Sequence, residues 1–440
     1  MMKKHILTAA AAITISMGSM GFNAHAASEA DVENSFYPYK NSTPTYEGLS
    51  AGMKINQGNV EQFKEILDDE MYSFIKNGWT EMTVAETIPF ELNKNYIQAT
   101  YDGLNKVTLG DKVGSINGFV AGRPFPEEPK ADDPRAGEKL AWNYKYGLNW
   151  GDSATISPFY WKFRDFKSGK VERTLKFSFH FLNYKHRIND EPKPDLPNNP
   201  SQLFRGIYVQ VLEPFDVKNT QLLIHRFEND LKRDNAWLYL GFQRRVRRLA
   251  TGQVTDSFLG SDLMIEDFEG YNGRISDMNW NYKGTRMVML PFYKHNELEL
   301  SEDHKEADGY QFVEFGGQGG CFPQITWQLR KAHILESVPV DKNHPLSRRV
   351  HYVDAETFTI PRTTQYDRKG EPWRSFIIGQ THPDHHLEKN KGSGVSIDDS
   401  FMMLDVQSKH CTTGQFKGQL DPSMAPPKKF TVQNMRVTGK

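Results

Sequence analysis

Residues 173–182 constrain this chain more than any other stretch. Leu175, Phe177, Phe179 and Phe181 alternate with Lys176, Ser178 and His180, so one side of an extended segment is aromatic and the other polar. A period of two is the signature of a half-exposed antiparallel strand, and a face carrying three phenyl rings has to find a cover. Further strand-sized runs follow at 206–214, 220–227, 237–240, 244–249, 286–293, 325–331, 349–354, 358–367 and 371–376, separated by turns rich in Gly, Asp and charge. That spacing predicts a meander of antiparallel strands. No internal period of roughly 20–50 residues points to a solenoid or a propeller.

The N-terminus reads differently. Residues 1–26 hold Lys3, Lys4 and His5, then an apolar run from Ile6 to Met20, then Ala24-His25-Ala26. This is the pattern of a cleaved export signal, and the expected location is the periplasm. The run is too short for a membrane helix, and no other window holds the ~18 apolar residues that one needs. No Cys follows the cleavage site to carry a lipid. Without the signal, 52 of the 54 basic side chains face 55 acidic ones, a balance that argues against a nucleic-acid partner. Aromatic residues make up 12% of the chain against 38% hydrophobic in all, so large rings are expected to carry much of the core.

Residues 27–58 are read as an extended N-terminal arm and 59–440 as one domain, with helices in 59–110 and a β-rich part over 111–440. Val60, Phe63, Leu67, Met71 and Phe74 recur at helical steps after Asn59, with Gly78 past the end, which predicts one helix over 59–76. A weaker helical stretch covers 93–106. Within 237–268, Gly241, Phe242 and Gln243 read as a turn between two strands. On the second strand, alternation sends Arg244 and Arg248 to one face and Arg245 and Arg247 to the other. Asp262, Glu266 and Asp267 follow closely, and are expected to fold back on the arginines as a structural ion-pair loop. The alternative is an anionic head group held by the arginines. Cys321 and Cys411 are a candidate disulfide in an oxidising compartment, with two separate thiols as the alternative.

Catalytic signatures are sparse. Neither phosphate-loop spacing nor a nucleophile elbow nor an H-E-x-x-H pair occurs, and the glycines at 316–320 read as a turn. His382, His385 and His386 beside Asp384 are the best metal candidate, but Pro383 favours a solvated loop. No catalytic residue, no metal and no cofactor is therefore expected. Leu175, Phe177, Phe179 and Phe181, taken with Trp161, Phe163, Trp237 and Tyr239 on neighbouring candidate strands, make either core or an apolar cavity.

Several segments carry a resemblance: GFVAGRPFP at 118–126, EKLAWNYKYG at 138–147, LYLGFQRRVRRL at 238–249 and RRVHYVDAETFTIPRTTQYDRKGEPWR at 348–374. Together they resemble an exported proteobacterial family that carries a domain-of-unknown-function label, whose members are often named outer-membrane lipoprotein-sorting proteins. Where that pattern has a Pro-Gly turn before the arginines, this chain has Gly241-Phe242. FLGSDLMIEDF at 258–268 is similar to a loop of the LolA and LolB lipoprotein carriers. The resemblance implies an α+β fold, a large curved antiparallel sheet of half-barrel form closed by helices. It implies a non-enzymatic binder or carrier of lipid, lipoprotein or another hydrophobic compound. Leu175, Phe177, Phe179, Phe181, Trp237, Tyr239 and the four arginines are the candidate ligand-binding residues. The expected partners are a hydrophobic small molecule or acyl chain, and an envelope membrane transporter or outer-membrane protein. The other readings are a ligand-free structural subunit of an envelope transport complex and a metal-dependent periplasmic enzyme.

Overall fold

A computed structural model describes residues 26–250, 254–304 and 306–439, so the expected export signal falls almost wholly outside the described residues. The frame is one large open sheet. Strands β2 (Ser153–Asp165), β3 (Val171–Asn183), β4 (Leu203–Glu213), β5 (Gln221–Phe227), β6 (Asn235–Leu240) and β7 (Arg245–Arg248) form one antiparallel meander. Strands β9 (Thr326–Pro339), β10 (Leu346–Asp354), β11 (Arg362–Asp367), β12 (Pro372–Thr381), β13 (Ile397–Asp405) and β14 (His410–Gln419) form a second. Pairing of β14 with β2 fuses the two meanders. Strand β9 also pairs antiparallel with β8 (Met278–Leu290) on one side and, through its first residues on the other side, parallel with the short β1 (Met82–Ala85), which makes the sheet mixed.

Among the described residues five α-helices decorate this frame: α1 (Glu29–Phe36), α2 (Asp69–Lys76), α3 (Lys94–Gly103), α4 (Ala136–Lys145) and α5 (Val432–Thr438). The helix expected over 59–76 is broken in two. Residues Val60–Ile66 form a 3-10 helix, Leu67 turns extended, and Asp68 starts α2 by accepting the Met71 amide. The cause is tertiary. Asp68 is buried, and its carboxylate also takes the guanidinium of Arg362 on β11 at 2.6 and 3.0 Å, which a continuous helix would forbid. The extended arm expected at 27–58 contains α1, begun by a Ser28–Asp31 capping box, and Lys54–Ile55, which pairs with β1. Helix α4 lies inside the stretch read as β-rich. It is buried on nearly every side, and so shows no polar stripe to reveal it.

Each face of the sheet has its own core. On one, Phe159 and Trp161 of β2 and Leu175, Phe177, Phe179 and Phe181 of β3 pack with Phe376, Phe401 and Phe416. Helix α4 lies on this aromatic side, further along the sheet, where it covers Leu335 and Val353, which the register places on the same face as Phe376. On the other face, α2 and the 3-10 helix before it cover Ile377, Met402, Leu404 and Cys411. Cys411 is bonded there to Cys321. The glycines at 317, 319 and 320 all take positive φ just before Cys321, and a Cβ on Gly319 would sit 2.5 Å from the Phe166 carbonyl oxygen.

Candidate functional site

The aromatic face is covered by neither a helix nor open space. Residues 254–273 lie across it as a chain of short 3-10 turns, and insert Phe258, Leu263, Ile265 and Phe268 among the rings of β2 and β3. Phe268 sits 5.7 Å from Phe179 and 6.2 Å from Trp161, ring centre to ring centre, both edge-on. Beneath this cover remains an apolar cavity of about 50 Å³. Trp150, Phe159, Trp161, Phe179, Phe181 and Phe401 contribute to its wall, and Glu269 and Asp398 give it a polar end.

Two features of that wall bear on binding. The indole N–H of Trp161 is buried and has no hydrogen-bond partner among the described residues. At the polar end, Glu269 has positive φ, takes Arg205 at 3.2 Å through one carboxylate oxygen, and leaves the other unpartnered. Burial and the nearby Glu269 charge push the Asp398 carboxyl up to about 7. Larger hollows exist elsewhere. One, about 590 Å³, is a polar surface groove between residues 56–81 and 317–324, and lacks the apolar wall that a hydrophobic ligand needs.

The expected ion-pair loop exists with different partners. Glu266 binds Arg349 and His344, each at 2.8 Å. Asp267 binds Arg349 at 3.1 Å and Gln365 at 2.7 Å. Asp262 takes His410 and Thr412, each at 2.7 Å. The three acids thus rivet the covering segment to β10, β11 and β14, and none of them touches residues 244–248. Burial opposes the charge on Glu266, but Arg349 and His344 outweigh it and hold the carboxyl at about 2.

The other candidates separate. Leu175 and Phe177 are core residues beside the cavity, while Phe179 and Phe181 line it. Trp161 and Phe163 share their face. Trp237 and Tyr239 do not: they lie on the opposite face with Leu182, Tyr208 and α5, where the Tyr239 hydroxyl donates to the Gly439 carbonyl. Arg244 is in the β6–β7 turn, with φ of 50°, and not on the strand. Arg245, Arg247 and Arg248 stand exposed on the sheet's edge strand, and none of them lines the cavity.

The histidine loop also differs from expectation. The His386 side chain is fully buried, near His295 and Asp399, and the three could offer ligand atoms within 4.8 Å of one another. The hydrogen bonds assign the protons. Asn390 uses Oδ1 to accept the Leu420 amide, and Nδ2 to donate to the Gly418 carbonyl and to His386 Nδ1. His386 must then carry its proton on Nε2, which donates to the Tyr310 hydroxyl, itself a donor to the Phe416 carbonyl. The nitrogen facing Asp399 is therefore no free metal ligand, and the group is a buried polar network. Sequence reasoning missed His295 and Asp399 because they lie 91 and 13 residues from His386 with no spacing rule to join them.

Among known proteins, an uncharacterised protein of Pseudomonas aeruginosa is 26% identical over 379 residues, covering 80% of this chain and 72% of that one. A solved structure from Desulfovibrio piger is 17% identical and covers 69% of this chain and 99% of its own, with a TM-score of 0.47. A domain from Vibrio parahaemolyticus named for outer-membrane lipoprotein sorting is 16% identical, covering 69% and 100%, also at 0.47. The model of the family described as "Protein of unknown function (DUF1329)" matches residues 54–436, and the chain belongs to that family.

Proposed function

We infer that this protein is a periplasmic binding or carrier protein for a lipid, a lipoprotein acyl chain or another hydrophobic compound, and acts without chemistry of its own. The observation that carries the reading is the aromatic cavity under residues 254–273, with the unpartnered Trp161 N–H in its wall and Glu269 and Asp398 at one end. A buried donor without an acceptor costs free energy, and a ligand oxygen would recover it. Each methylene buried would add about 0.8 kcal/mol, so an acyl chain needs few polar contacts. At about 50 Å³ the cavity is well below the few hundred Å³ of a usual ligand site. Loading therefore requires Phe258, Leu263 and Phe268 to withdraw. The same tight packing favours a second reading, a ligand-free subunit of an envelope transport assembly.

Quenching of indole fluorescence by brominated fatty acid tests the first reading, since bromine quenches only on contact. The expected result is saturable quenching that falls in Trp150→Phe and Trp161→Phe variants. Quenching that is absent, or unchanged in both variants, removes the carrier reading and leaves the subunit.

A further inference from the structure

Among the described residues only two phenylalanines are exposed, Phe215 at 93% and Phe242 at 75%, and they sit on neighbouring turns. Phe215 tips the β4–β5 turn and Phe242 the β6–β7 turn. The turns abut because Gln221 pairs with Tyr239, and a Cβ on Gly241 would meet the Lys218 carbonyl oxygen at 2.5 Å. The end of α5 joins the same corner through Thr438 on Gln221, and adds Val437, exposed at 60%. Beside these apolar tips stand Lys218, Arg244 and Arg245, with Arg247 and Arg248 further along the edge strand and Arg436 on α5, all exposed. None of them forms an ion pair among the described residues, and Arg248 reaches only the Asn235 amide oxygen. The nearby acids are engaged elsewhere, Asp216 with Arg173 and Glu213 with Lys176.

Charge along an edge strand discourages pairing with another sheet, which accounts for Arg245 and Arg247. It does not account for two phenyl rings held in water at the tips of neighbouring hairpins. Rings at a protruding tip with guanidinium groups set behind them match an interface in which apolar groups enter the acyl boundary and cations meet phosphates. We propose that this corner docks the protein onto an anionic phospholipid surface, with Phe215 and Phe242 inserted and the arginines on the head groups. The docking stands independently of whether the aromatic cavity holds a ligand.

Flotation with vesicles of phosphatidylcholine alone, and with one third phosphatidylglycerol, tests the proposal. The full mature chain is expected to float with the anionic vesicles only, and to be released as salt rises toward about 0.5 M. Arg245→Glu/Arg247→Glu should weaken binding at least twenty-fold, at about fivefold for each charge lost. Phe215→Ser/Phe242→Ser should weaken it about tenfold or more. Both pairs are exposed, so the thermal unfolding of each variant should match the parent. The proposal is overturned if neutral vesicles bind equally well, if no vesicle binds, or if neither variant changes binding. It is equally overturned if the phenylalanine variant abolishes a concentration-dependent dimer and leaves vesicle binding intact, since the corner would then receive a second copy of the chain.

Discussion

Truncating Phe268 to alanine separates a packed cover from a loosely laid one. The ring is 7% exposed and lies within ring-contact distance of Phe179, Phe258 and Trp161. Deleting a phenyl group from such a place costs about 3–5 kcal/mol, the sum of lost transfer free energy and the cavity left behind. Added to the existing 50 Å³, the vacated space reaches roughly 150 Å³, the size at which an apolar protein cavity stays dry and admits benzene. Urea denaturation with and without benzene reads both effects. Phe268→Ala should lose that stability, then regain about 1.4 kcal/mol at a benzene concentration ten times the dissociation constant. The parent should gain nothing, because its cavity is too small. A loss under about 1 kcal/mol would mean that the ring is not buried in solution, and a full loss without benzene rescue would mean that the segment collapses into the space.

Three further outcomes follow from the buried charges and the disulfide. Arg349→Met strands Glu266 and Asp267 without their cation and should cost about 3–5 kcal/mol in chemical denaturation near neutral pH. Because the folded Glu266 carboxyl is held at about 2, below its unfolded value, its contribution is complete above the ordinary carboxylate range and disappears as pH falls toward 2. That loss amounts to about 3 kcal/mol in the parent, and Arg349→Met should flatten it. Asp398 has the opposite sign. With its folded value raised to about 7, it withdraws stability as pH rises from the ordinary range through 7, so Asp398→Asn should be the more stable protein near pH 8, by about 4 kcal/mol at most, and should show no advantage near pH 4. Replacing Cys321 and Cys411 by serine opens a link across 90 residues and should lower stability by about 4–5 kcal/mol in the chain-entropy account, measured as a drop in Tm.

What the sequence revealed depended on how local the physics was. The β3 strand was legible because Leu175, Phe177, Phe179 and Phe181 alternate within a few residues of one another. The same rule placed Trp237 and Tyr239 correctly on one side of β6, but not on which side. That choice is set by register against β5, where Leu223 and not Leu222 shares their face. Helix α4 left no amphipathic trace because both its sides are buried. The acids at 262–267 were recognisable as a structural loop. Their partners were not, since Arg349 and His410 lie 82 and 148 residues from Asp267 and Asp262, and the nearby arginines were the local choice. Asp68 illustrates the same limit, as its bond to Arg362 across 294 residues breaks a helix that periodicity alone would continue. The cavity's cover was invisible for another reason: residues 254–273 have no regular period, and their apolar side chains are fixed only by what they plug.

The central claim is that the aromatic face serves a hydrophobic ligand. Native mass spectrometry of the protein purified from its own envelope, followed by organic extraction of the same sample, tests it most directly. The account predicts a discrete mass above that of the polypeptide, released on denaturation as a lipid or other hydrophobic compound and absent from a Trp161→Phe/Phe179→Ser variant that remains folded. A parent protein that carries only its polypeptide mass, and yields nothing on extraction, would contradict it.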